Sequence, residues 1–204
     1  MPQSLEPARE MLSAIDPHVF DAVAMTAFMR CWNDAKPELT PKLLGTEMAM
    51  GFKVITRAIQ SSALLAVCRS WDTANDTRSF PKLADLLGED AVIRLIAEDR
   101  HQDLEALLAD IEGFKQSETL MALRVSRAEG FAHNIGEARA RQAMGDAARP
   151  AAYGELYEAT SLCKDLLERC YLLLHGYESR IREWEIDHSR ILTNMIADIQ
   201  NYNA

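Results

Sequence analysis

Apolar residues recur along most of this chain at spacings of three and four, and no stretch alternates apolar with polar as a half-buried strand does. Asp16-Pro17 reads as a cap followed by a first-turn proline, opening a helix through Val19, Phe20, Val23, Phe28 and Trp32. Thr40-Pro41 repeats that start signal, and the pattern Leu43, Leu44, Met48, Phe52, Ile55, Ile59, Leu64, Leu65, Cys68, Trp71 continues to Asp72. Residues 73–79 are polar and turn-rich, a loop. A short helix over 81–87 follows, stopped by Gly88, and then an acidic helical stretch over 91–111 that ends near Gly113. Ser117 is placed to cap a long helix reaching about Met144. Pro150 opens a further helix over 151–175, closed by Gly176 in a left-handed cap, and a last helix spans 179–199. The pattern predicts an all-α bundle of six or seven helices, read as one domain over residues 1–204.

Composition changes this picture little. At 204 residues, with 48% apolar and 26% charged side chains, the chain can bury a core without staples. The longest charge-free apolar run, 58–68, is too short to span a bilayer, and the first residues lack a secretory layout. Cys31, Cys68, Cys163 and Cys170 form no C-x-x-C pair and sit in apolar stretches, as expected of a reduced, cytoplasmic protein.

Charge is more informative. A net −9 argues against sequence-blind coating of nucleic acid, which needs a basic surface. The distribution is uneven, however. Nine acids face only Arg94 and Arg100 between 85 and 112, whereas over 124–149 five arginines face Glu129, Glu137 and Asp146. Such a strip fits a short anionic ligand or, equally, a solvated helix face.

The tryptophans and methionines fall on apolar helical stripes and read as core. The five histidines are scattered without His-x-x-x-His or Glu-x-x-His spacing, so no metal and no cofactor are expected. One segment stands out. On a helix, Leu120, Leu123, Arg127, Phe131 and Ile135 share one side, which puts a guanidinium in the middle of an apolar face. A charge there is costly unless paired or working. His133 follows six positions later, beside a row of small residues, Ala122, Ser126 and Gly130, that lets another helix or subunit approach closely. The same spacing also joins Arg94 to His101, Arg169 to His175 and Arg182 to His188, so spacing does not choose among the four. A buried Asp72–Arg127 pair would be a purely structural use of the arginine.

Context separates them. LRVSRAEGFAHN, residues 123–134, resembles the Leu-Arg-Asp-Lys-x-x-Ala-His segment of HEPN domains of the abortive-infection U type. ALLAVCRSWDTANDTRSFPKLADLL resembles that group's long helix with its aromatic-Asp end, polar loop and short helix, and GELYEATSLCKDLLERCYLLLHG resembles the helix after the motif. Together these cover about 40–176, in the family's order.

The resemblance implies an α-helical bundle that cleaves RNA without a metal, at a site completed in a homodimer. Arg127 and His133 would be catalytic, Arg124 an auxiliary phosphate contact, and Glu129 and Asn134 weak orienting groups. A 2′-hydroxyl nucleophile would make single-stranded RNA the substrate. A regulatory partner protein is implied as well, and no membrane. Active members place Asp, Asn or His directly after the arginine; here that position is Ala128. A HEPN-like module that binds RNA, a nucleotide or a partner protein without chemistry is therefore the alternative, and a purely structural adaptor a third.

Overall fold

The computed structural model describes residues 4–43, 47–74, 76–131 and 151–202, the side chains at 41–43, 47–48, 129–131 and 199–202 excepted. It is all-α, with no strand among the described residues. The helices are α1 (Glu6–Leu43), α2 (Glu47–Ser70), α3 (Phe80–Leu87), the single turn α4 (Asp90–Ile93), α5 (His101–Lys115), α6 (Glu118–Phe131), α7 (Tyr153–His175) and α8 (Ile181–Tyr202). A 3-10 turn, Glu98–Arg100, leads into α5.

One apolar core takes side chains from every one of these helices. Trp71 lies near its centre, fully buried against Phe80 and Phe114, with its indole N–H donating to the Cys163 sulfur at 3.1 Å. A second, smaller cluster joins Trp32, Leu39 and Ile196, with Phe28 and Phe52 packed on it. No helix among the described residues is long and apolar enough to cross a membrane.

Several local signals behave as expected. Ser117 caps α6 by accepting the Leu120 N–H at 3.1 Å. Gly176 closes α7 at φ +76°, its N–H donating to the Leu172 carbonyl. The 73–79 loop lies between α2 and α3, and its described residues hold no helix or strand. The Ser79 hydroxyl ties it down by donating to the Asp72 carbonyl.

Four boundaries differ. The first helix begins at Glu6 rather than beside Asp16, and Thr40-Pro41 lies inside it. Burial overrides the start signal: Ala8, Leu12, Ile15, Val19 and Val23 form one continuous buried stripe that crosses Pro17. Pro17 and Ser13, whose carbonyl loses its helical partner at the proline, both face water, which softens the cost. Asp16, which the local reading makes a cap, instead accepts a hydrogen bond from the Tyr171 hydroxyl.

The acidic 91–111 stretch is two helices rather than one. Between them His101 Nε2 donates to the carbonyls of Ile93 and Ile96, at 3.2 and 3.0 Å, and Arg100 donates to the Leu172 carbonyl of α7. Gly113 does not end α5, which runs on to Lys115.

Candidate functional site

The candidate site lies where α6 crosses the C-terminal end of α2. Leu120, Ala122, Leu123 and Val125 are buried and fasten α6 to the core, while Arg124 and Arg127 are half-buried. Arg124 Nη2 donates to the Trp71 carbonyl at 2.9 Å. A cation at the exit of a helix satisfies a carbonyl that has no helical partner and opposes the negative end of the helix dipole. The residue expected as an auxiliary phosphate contact is therefore engaged in closing α2.

Arg127 reaches the same region by a different route. Cys68, buried on α2, has its thiol pushed up to about 11 by desolvation, and the charges of Arg127 and Arg124 pull it the other way. Both guanidinium groups thus act on the end of α2. No ion pair joins Arg127 to Asp72, or to any other carboxylate, among the described residues. Asp72 is engaged elsewhere: its Oδ1 accepts the Ala74 N–H at 3.1 Å, and its carbonyl takes the hydroxyls of Thr77 and Ser79. The purely structural use of Arg127, a pair with Asp72, is not formed.

Ser126 accepts the Ala151 N–H at 2.7 Å, fixing the entry to α7 against α6. The small side chains at Ala122 and Ser126 admit this close approach within one chain. The other members of the expected site fall at or beyond the limit of description. Glu129 belongs to α6 by its backbone, but its side chain is outside the described residues, as are the side chains of Gly130 and Phe131. His133, Asn134 and Ile135 lie outside the described residues, so the meeting of Arg127 with His133 is not among the contacts observed.

The three competing arginine-histidine matches are each absorbed by structural contacts. His101 closes the turn between α4 and α5. Arg169 donates to Asp110 at 2.6 Å and to Asp165 at 3.4 Å, while His175 stacks between Tyr171 and Tyr177. Arg182 grips Glu168 with two hydrogen bonds of 2.6 and 2.5 Å. His188 is half-buried against the Trp184 ring, and its Nδ1 donates to the Trp184 carbonyl at 3.0 Å.

Sequence reasoning missed the carbonyl that Arg124 serves, because nothing in the order of residues shows that the end of α2 faces it. Among the described residues, no cluster of three His, Cys, Asp or Glu side chains is arranged to hold a metal ion.

Comparison with known proteins adds one finding. A search of curated proteins and a search of solved structures gave no match. The family model described as AbiU2, of the HEPN class, matches residues 6–195, which extends the resemblance from the central helices to α1 and most of α8. With all-α architecture, a long α2 that leads into Trp71-Asp72, and Arg127 on the helix that crosses that end, the chain belongs to the HEPN AbiU2 family of abortive-infection proteins.

Proposed function

We propose that this protein is a metal-independent endoribonuclease of phage-defence or toxin type, acting in the cytoplasm on single-stranded RNA. Its site would hold Arg127 and His133 and be completed across a homodimer, and a regulatory partner protein would restrain it. One observation carries the reading. Arg127 is half-buried on α6, where its charge acts on the buried Cys68 thiol, and has no carboxylate partner among the described residues. A partly desolvated cation lacking a counter-charge is poised for an incoming anion, and a guanidinium fork matches a phosphate in charge and shape.

In the reaction, the 2′-oxygen forms a bond to the adjacent phosphorus and the bond from phosphorus to the 5′-oxygen breaks. The products are a 2′,3′-cyclic phosphate and a 5′-hydroxyl. An imidazole, with its ordinary pKa of about 6.5, is suited to take the 2′-hydroxyl proton and to supply one to the leaving oxygen. Arg127 would hold the phosphate and offset the charge that builds on its oxygens. Arg124 would support it by keeping the end of α2 closed.

Ala128 favours a second reading, an RNA-, nucleotide- or protein-binding module without cleavage, because the usual polar neighbour of the arginine is missing. Incubation with single-stranded RNA and chelator separates the two. Cleavage that persists in chelator and disappears in both Arg127→Ala and His133→Ala is the expected result. Binding without cleavage, unchanged by His133→Ala, would establish the module instead. A protein that stays monomeric in solution would remove the composite site.

A further inference from the structure

A groove of about 320 Å³ opens between the C-terminal half of α1 and the N-terminal half of α2, with Tyr153 of α7 at its edge. Its floor is the Trp32–Phe52 stack, with ring centroids 4.7 Å apart and planes within 16°, continued inward by Phe28. Its rim carries Lys36, Lys53 and Arg57, all exposed, and no carboxylate lines it among the described residues. None of the three cations forms an ion pair among the described residues. In a chain of net charge −9, three cations around an aromatic floor are a local exception. Tyr153 is half-exposed, and its hydroxyl donates to Gln60 Oε1 at 2.7 Å.

We infer that this groove binds an unpaired nucleotide, its base lying against Phe52 and Tyr153 and its phosphates held by Lys36, Lys53 and Arg57. Flat aromatic surface beside a row of cations is the arrangement that takes single-stranded nucleic acid, since every base offers a π-face and every linkage a charge. The volume lies at the lower end of the range for small-molecule sites, which suits one base rather than a folded ligand. Three cations exceed what one monophosphate needs, which favours a strand over a free nucleotide.

A smaller cavity shares Gln60 and Tyr153 with this groove and reaches Leu123 and Ser126, next in sequence to Arg127. To reach the candidate site, a strand anchored in the groove would run over the surface past Tyr153 and this cavity, which at about 40 Å³ is too small to admit it. That last link rests on the cleavage reading above, whereas binding in the groove does not.

The test measures anisotropy of a fluorescein-labelled ten-residue oligoadenylate with 2′-O-methyl groups, which cannot be cut through its 2′-oxygens, and competes it with adenosine monophosphate. Three proteins are compared: wild type, Lys53→Ala/Arg57→Ala, and Lys115→Ala/Arg180→Ala as an equal loss of charge elsewhere. Wild type should bind, and Lys53→Ala/Arg57→Ala should weaken binding at least tenfold. The slope of log affinity against log salt should fall by about 1.4, from two lost phosphate contacts. The charge control should bind within about twofold of wild type, and because the probe cannot be cut, a failed cleavage assay leaves this result standing. Adenosine monophosphate should compete poorly if a strand is the ligand; competition at similar affinity would assign the groove to a free nucleotide. Equal binding by wild type and Lys53→Ala/Arg57→Ala, or no binding of either probe by wild type, would overturn the inference.

Discussion

Arg124 donates from Nη2 to the Trp71 carbonyl at 2.9 Å, closing the end of α2 from a neighbouring helix. Arg127, one turn further along α6, brings its charge to the same end of α2 but has no carboxylate partner among the described residues. Two arginines three residues apart thus differ in kind. One is spent on the fold, and the other is not spent on a carboxylate among the described residues.

Arg124→Ala should destabilise the protein by about 2 kcal/mol, the range for a hydrogen bond with a charged partner. Arg127→Ala should shift stability by no more than about 1 kcal/mol in either direction. Urea denaturation of the two variants checks this. Equal losses would mean that Arg127 is also a structural residue.

Thiol reactivity follows from burial. Desolvation pushes Cys68 up to about 11 and Cys163 and Cys170 up to about 12, so all three are held as thiols at neutral pH. Cys31 is half-buried, between α1 and α8. In native protein at pH 8, Ellman's reagent should titrate Cys31 well before the others, and all four thiols should react in denaturant. Rapid native labelling of a second cysteine would contradict the packing around Trp71.

Asp16 makes stability depend on pH. Its carboxyl is raised by burial, against the opposing effects of the Tyr171 hydrogen bond and the His175 charge, and its Oδ1 is buried without a partner. A carboxyl raised on folding favours the folded state below its unfolded pKa. That contribution is lost as pH rises through the folded value. Asp16→Asn keeps an acceptor for Tyr171 and removes the charge. The variant should therefore melt above wild type at pH 7, and the gap should close as pH falls through the carboxylate range. Thermal melts across that range would refute this if the gap stayed constant.

Gly176→Ala places a Cβ on a backbone at φ +76° and should cost about 1 kcal/mol, although no neighbouring atom stands in its way. A loss of several kcal/mol in chemical denaturation would show instead that the αL cap coordinates wider packing between α7 and α8.

Much of the bundle was legible because local signals and burial agreed. Ser117, Gly176 and the 73–79 loop carry residue types that satisfy helix ends wherever they occur, and the structure uses them as such. Asp16-Pro17 misled because the buried stripe of Ala8, Leu12 and Ile15 outweighs a proline that faces water. The break after Ile93 was hidden because its stabilising contact, from Arg100 to the Leu172 carbonyl, spans 72 positions. The basic groove went unread for a related reason. Phe52, Lys53, Thr56, Arg57 and Gln60 do share one side of α2, within about 140° of arc, but Trp32, Lys36 and Tyr153 come from two other helices.

By itself, the order of residues determined the helical class, most of the helix ends and the family motif around Arg127, because each rests on periodicity or on short-range chemistry. Only the tertiary structure decided which charges are free. Whether a guanidinium meets a carbonyl, a carboxylate or open space depends on what another helix brings to it. That is how Arg124 came to be consumed by Trp71, Arg169 by Asp110 and Arg182 by Glu168, while Arg127, Lys53 and Arg57 remain without a carboxylate among the described residues.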